Sequence, residues 1–587
     1  MQYTVEREPD TSRVEEGESN ALHEQAGADS HTSSRAALGA LFAAASLAAC
    51  GGGGDSPVAP PPGGSPPPPA PPPGPPPTTM ESARFVAQAG IGADRAQIAR
   101  AQAIGYAPWI DEQFATPQSM SRCDWLVSKG YDQPGVSNAN KNGFAGFDAC
   151  AWRKLISSPD VLRQRVVLAL SEIMVVSLTG LSGGWRQFSG ANYLDLLENN
   201  AFGNYRTLMQ QVSTSPAMGE YLTFRGNIKY NATTGALPDE NYARELMQLF
   251  TIGLTQLNLD GTPKLVGGLP QDTYTLDDIT GLARIFTGWD WDVSVTSTTT
   301  PDFQRRPMVQ IASRHETGAS SFLGSTVPAG LDGATSLSRA LDIIFAHPNV
   351  APFVSKQLIQ RLVTSNPTPA YVQRVATVFL NDGAGVKGNL LAVIKAILLD
   401  DEARSGANLG NTTFGKLREP VLRFLGWARG FGATSPGDLW AIGDTSDPST
   451  RLGQSPLRSP SVFNFFRPGY VPPNSGISAA ALVAPEFQLA NESSVVGYVN
   501  YMQGVVANGV GDVKADYTAL IALADNAPAL LSEINLVLTA SQLSAATLDA
   551  INSAVGSMPS GTATARNNRI YAALVLVLAS PEFLVQK

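Results

Sequence analysis

From residue 81 to the end of the chain, apolar positions recur three and four residues apart, the spacing of one face of an α-helix. The pattern predicts two short helices across "ADRAQIARAQAIGYAPWIDEQF", separated at Gly105. "SPDVLRQRVVLALSEIMVVSL" opens on a Ser-Pro-Asp start signal and then runs apolar, with Arg163, Arg165 and Glu172 as its charges. Helical spacing also covers "YLDLLENNAF", "LDIIFAHPNVAPFVSKQLIQRLV", "AYVQRVATVFL", "LLAVIKAILLDDEAR" and "LREPVLRFLGWARGF". Beyond Ala479, Ala/Leu/Val-rich helices alternate with Gly, Asn and Ser-Pro breaks. Strand candidates such as "WDVSVTSTTT" (291–300) are short, so the expected class is all-α: one large multi-helical domain with minor irregular or hairpin insertions. No tandem repeat of fixed period is present, which argues against a solenoid.

Two helix starts follow from side-chain chemistry. In "YTLDDITGLARIFTGW", Thr275 is a good N-cap, Asp278 completes an acidic capping box, and Tyr274 and Ile279 fall at the staple positions. In "DENYARELMQLFTIG", Pro238 or Asp239 begins a helix, Glu240 suits its positive end, and Gly253 stops it. That helix places Asn241, Arg244, Glu245 and Gln248 on one side.

Residues 1–80 have a different character. Residues 1–34 are polar and acidic, and then Arg35 precedes an apolar run from Ala36 to Ala49. The run is too short to span a bilayer and matches the apolar centre of a signal peptide. It ends in Leu47-Ala48-Ala49-Cys50, which resembles a bacterial lipobox and implies lipidation of Cys50 as the mature N-terminus. Gly51 rather than Asp follows, which implies transfer to the outer membrane. Residues 50–80, rich in Gly and Pro, cannot bury a core and read as a tether. The expected organisation is therefore an extension plus signal peptide over 1–49, a tether over 50–80 and a helical body over 81–587.

Residues 1–49 hold three of the 41 basic and eight of the 50 acidic residues, so the rest carries 38 and 42, a net charge of −4. So balanced a body offers no electrostatic case for nucleic acid or for anionic lipid. Apart from Cys50, only Cys123 and Cys150 remain, and an even pair in an oxidising compartment predicts a disulfide.

"LPDENYARELMQLFTIGL", "YTLDDITGLARIFTGW", "RHETGASSFLG", "HPNVAPFVSKQLIQRLVTSNPTPAYVQRVA", "SPSVFNFFRPGYVPP", "LVAPEFQLANE" and the terminal "LVLASPEFLVQK" resemble, in this order, the bacterial domain of unknown function 1800 (DUF1800) family. The resemblance spans residues 81–587 and implies an exported, mostly helical protein. It implies no reaction and no cofactor. It also implies, by analogy with gene neighbourhoods, a partner among exported sulfatase- or alkaline-phosphatase-like proteins.

Candidate chemistry is sparse. Glu240 and Arg244 are i,i+4 neighbours able to form an ion pair, while Glu240 and Glu245 diverge by roughly 140° on the helical wheel, too far for a carboxylate pair. A solvated face or a buried Arg–carboxylate brace accounts for this stripe. The functional alternative makes Glu245 an acid/base or ligand and Arg244 an anion clamp, with Glu240 and Asn241 as binding groups. "RHETG" sets His315 between Arg314 and Glu316 in a loop that could complete such a site. His347, before a Pro-initiated helix, suits a cap or core role. Trp289 and Trp291 could stack on a sugar ring, although packing is the commoner use of Trp.

No HExxH, HxH or Cys/His grouping predicts zinc, and no metal site is assigned. Asp260, Asp272, Asp277 and Asp278 leave an oxygen-ligand cation open, without EF-hand spacing. "GLSGG" fits G-x-S-x-G with Ser182 as nucleophile, but the upstream run is helical where a nucleophile elbow needs a strand. The leading expectation is a lipid-anchored outer-membrane envelope protein of unassigned activity that acts with an exported partner. The rival is an envelope hydrolase built on Glu245, Arg244 and His315, or on Ser182.

Overall fold

A computed structural model describes residues 76–587. The expected signal peptide, the expected lipidation site Cys50 and residues 51–75 of the expected tether lie outside the described residues. The body is all-α as the spacing predicts: 25 α-helices and, among the described residues, only two-stranded antiparallel sheets. Residues 291–300 form turns, and the strand nearby is the two-residue Trp289–Asp290, paired with Val309–Gln310.

The element boundaries follow local chemistry. Gly105, at φ 82, separates Arg95–Ile104 from Tyr106–Ala115. Thr275 caps Leu276–Ile285 through the N–H of Asp278, whose carboxylate accepts the Thr275 N–H in return. The helix stops at Ile285, three residues before Gly288. Pro420 opens Pro420–Gly430 at the position where a missing N–H costs nothing.

One contiguous core fills the body, with Trp109, Trp152, Trp185 and Trp427 fully buried. A charged brace runs through it. Arg122 meets Asp195 at 3.1 Å and Glu198 at 2.6 Å, and Lys154 meets Glu198 at 2.6 Å. Asp195 also accepts the backbone N–H groups of Arg122 and Cys123, and Gln164 accepts from the second guanidinium nitrogen. Each charge here has a partner on another helix, so the group is a structural tie.

The expected Cys123–Cys150 disulfide is not formed. Both are buried free thiols. The Cys150 sulfur lies 3.2 Å from the carbonyl of Phe147 and the Cys123 sulfur 3.8 Å from that of Phe188. Each thiol thus faces a backbone carbonyl of its own surroundings, and burial pushes both well above the usual thiol range.

The C-terminus reaches back to the middle of the chain. Val585–Gln586 pairs with Lys416–Leu417, and Gln586 Nε2 donates to the Leu362 carbonyl at 2.9 Å. This short sheet stands directly behind the site described next.

Candidate functional site

The stretch 239–253 is not one regular helix. An α-turn, Asn241–Glu245, passes into a π-helix, Leu246–Thr251, with an i→i+5 bond from Ile252 N–H to the Met247 carbonyl at 2.9 Å. The wider turn frees carbonyls that side chains then satisfy. Gln357 Nε2 donates to Leu249, Thr251 Oγ1 to Leu246, and the Tyr205 hydroxyl to Phe250. Gly253 ends the element at φ 71, with the Phe353 ring 2.6 Å from where a Cβ would stand.

The π-turn breaks the helical period after Glu245, so the expected polar stripe is divided. Arg244 pairs with Glu240 at 3.4 Å, as the i,i+4 spacing predicts, and Glu240 also accepts from Thr280 Oγ1 at 2.7 Å. Asn241 Nδ2 reaches Thr223. Glu245 is buried without a hydrogen bond on Oε2, and burial raises its carboxyl against the opposing pull of Arg244. Gln248 turns elsewhere: it accepts from the Tyr274 hydroxyl at 3.0 Å and lines a cavity.

That cavity, about 690 Å³, is where distant segments meet. Gln248, Leu249 and Gly253 come from the π-turn, and Phe353 to Arg361 come from the helix Val350–Leu362. Ser365 to Pro367, Val462 to Gly469 and Ala481 to Val483 supply loops. Four of the seven segments that carry the family resemblance therefore border one space. Its size is that of a small-molecule site.

Glu172, the acidic residue in the apolar run of Val161–Ile173, forms part of its wall with only 5% of its surface exposed. Arg361 Nε lies 3.5 Å from Glu172. Behind Glu172 is a second buried layer. Glu419 accepts from Gln454 Nε2 at 2.8 Å, and Lys416 lies 3.6 Å from Glu419 and 3.0 Å from Glu486. Arg165 donates to the Arg361 carbonyl, which also accepts from Lys416 at 2.8 Å.

Glu172 and Glu419 stand close enough within this buried cluster for each charge to act on the other. Burial, with the Glu419 charge added to it, raises Glu172 well above the carboxylate range. Burial also works against the Glu419 anion. Glu172, Lys416 and Arg165 outweigh it and hold Glu419 below that range. The wall therefore presents the carboxyl of the two that is harder to ionise, with Glu419 behind it. Across the space, Lys356 lines the cavity with no carboxylate within ion-pair distance among the described residues, and burial lowers its ammonium from the usual value.

The other predicted residues lie apart from this wall. Glu245, Arg244 and His315 do not line the cavity. His315 is buried, with Nδ1 3.1 Å from the Thr287 carbonyl and 3.2 Å from its hydroxyl, and Nε2 has no partner. No hydrogen bond or ion pair joins His315 to Arg244 or Glu245 among the described residues. Trp289 is packed in the core at 4% exposure. Trp291 stacks beneath the Arg225 guanidinium at 3.8 Å.

Ser182 is exposed and bonds through its N–H and hydroxyl to Glu220 Oε1, at 2.7 and 2.9 Å. A 3₁₀ turn, Leu178–Gly180, precedes it in place of the strand that a nucleophile elbow requires. His347 Nδ1 accepts the Asn349 N–H at 3.2 Å in the turn before Val350–Leu362. Asp260 and Asp278 serve local turns and caps. Among the described residues, no group of three His, Cys, Asp or Glu side chains is arranged for a metal ion.

Sequence reasoning missed the carboxyl pair. The available signal was Arg165 and Glu172, two charges two helical turns apart in an otherwise apolar run. Glu419 and Glu486 each sit beside a proline at an element start, and only the fold brings them together.

Fold and site together define an all-α protein with a ligand-sized cavity whose wall includes the buried carboxyl of Glu172. The chain belongs to the DUF1800 family, described as a protein of unknown function, whose family model matches residues 84–585. No curated protein and no solved structure matches it.

Proposed function

We propose that this chain is an exported envelope protein, anchored to the outer membrane through lipid on Cys50, whose helical body holds a small ligand in the Glu172 cavity. The observation that carries the binding reading is the convergence of four family-resembling segments on that cavity. The anchor rests on Leu47-Ala48-Ala49-Cys50 and on the Pro-rich tether that follows. The resemblance further points to an exported sulfatase- or alkaline-phosphatase-like partner, to which the body would present or from which it would receive that ligand.

Cell fractionation followed by mass spectrometry of denatured protein tests both parts. The wild-type chain is expected in the membrane fraction and Cys50→Ala in the soluble one, each releasing the same small molecule. Membrane retention of Cys50→Ala would refute the anchor. Protein that releases nothing from either fraction would refute the binding reading. In the rival hydrolase, Glu245 acts as acid or base with Arg244 and His315. It draws on the raised carboxyl of buried Glu245 and the unpartnered Nε2 of His315.

A further inference from the structure

Binding in the cavity leaves open what is bound, and the wall's charges bear on that. Two cationic side chains line it, Lys356 and Arg361, against one carboxyl group, Glu172, which pairs with Arg361 at 3.5 Å. Arg361 has no other acidic partner among the described residues, and Lys356 has none. An unpaired ammonium half-withdrawn from water is costly, and such groups are retained where an anion completes them. Lys356 is held in place by its stem, whose Cδ lies against Gly261.

The remaining surface is mostly apolar. Leu249, Leu254, Phe353, Phe463 and Leu482 line it, while Gln248, Gln357 and Gln360 supply neutral polar groups. A small hydrophilic anion such as free phosphate would leave that apolar wall uncovered. An uncharged lipid would leave Lys356 unmatched. Both halves of the lining are satisfied by one molecule with an apolar body and a single anionic head.

Resting on the reading of this cavity as a binding site, we infer that its ligand is an organic anion. The carboxylate, sulfonate, sulfate or phosphate head meets Lys356 and Arg361, and the apolar body lies along Leu249, Phe353 and Leu482.

A matched pair of fluorescent probes tests this in the full chain carrying Cys50→Ala, free of detergent. Anilinonaphthalene sulfonate has the required head and body, and phenylnaphthylamine has the same body without the charge. The sulfonate is expected to bind tighter than the neutral probe. Lys356→Met is expected to weaken the sulfonate about tenfold, the scale of one lost charge-assisted contact, and to leave the neutral probe unchanged. Added salt should weaken the sulfonate selectively. Equal binding of both probes, indifferent to Lys356→Met, would overturn the anionic class while leaving the cavity reading intact. Failure of both probes to bind would overturn both.

Discussion

Glu419→Gln is expected to cost about 3–5 kcal/mol of folding stability, whereas Glu172→Gln, two atoms' chemistry away, should cost less than about 1 kcal/mol. The asymmetry follows from which member of the pair carries the charge. Glu419 is the counter-ion of Lys416, 3.6 Å away, and faces Arg165 in a fully buried setting. Neutralising it leaves Lys416 with Glu486 alone and Arg165 less compensated, and a buried ion stripped of its partner is strongly destabilising. Glu172 is the member that burial and the Glu419 charge make hard to ionise, and a Gln amide keeps its shape without a charge.

The pH dependence gives the same contrast a sign. Above about pH 4.5, the ordinary glutamate value, the unfolded chain loses the Glu172 proton and the folded chain keeps it. The folded state then binds more protons, so this group's contribution is complete below pH 4.5 and is lost as pH rises through the raised folded value. Glu172→Gln lacks that loss, so its stability relative to wild type should climb with pH over this window. Denaturant unfolding of the three proteins across that range measures it. Equal losses for both variants, or a flat difference for Glu172→Gln, would mean that the Glu172 carboxyl is not raised in this way.

Asn349→Leu should be nearly as damaging, at about 3–6 kcal/mol for three buried backbone groups left unpaired at about 1–3 kcal/mol each, less what water recovers. Asn349 is fully buried just before Val350–Leu362. Its Nδ2 donates to the Ile252 and Thr255 carbonyls at 2.9 and 2.7 Å, and its Oδ1 accepts the Leu257 N–H at 2.9 Å. One side chain thus fixes the segment 252–257, which supplies Gly253, Leu254, Thr255 and Leu257 to the cavity. Leucine keeps its branched shape and none of its polarity. Alongside the lowered unfolding midpoint, hydrogen exchange should show Leu257 losing its protection. A variant within 1 kcal/mol of wild type, with Leu257 still protected, would show that the segment is held by other means.

Local structure was legible in the sequence wherever one side chain or one period decides it. Thr275 with Asp278, Gly105, Gly253 and the proline of Pro420–Gly430 each act within a turn of their own position. The π-turn was not legible, because the 100° period of "RELMQLF" fits an α-helix equally well. What tips it is tertiary, the Gln357 and Tyr205 donors that take the loosened carbonyls. The Cys123–Cys150 pairing was inferred from count and compartment, and such reasoning contains nothing about where two sulfurs point. The carboxyl pair was hidden for a different reason. Glu172 and Glu419 are 247 positions apart in the numbering, and a lone glutamate in an apolar helix reads as an anomaly until its partner is placed. The brace at Arg122 and Glu198 has the same sequence character and a different outcome, since every charge in it is matched and it faces no cavity.

Two places compete for the function: the Glu172 cavity and the neighbourhood of Glu245 and His315. Leu254 lines the cavity with 57% of its surface exposed, so Leu254→Trp can obstruct the space without disturbing the core. The most direct measurement is the amount of small molecule released on denaturing Leu254→Trp and Glu245→Gln, each isolated from the envelope beside wild type. Loss of the ligand from Leu254→Trp with full occupancy in Glu245→Gln is the predicted result. Full occupancy in Leu254→Trp with loss in Glu245→Gln would contradict it and place the site at Glu245.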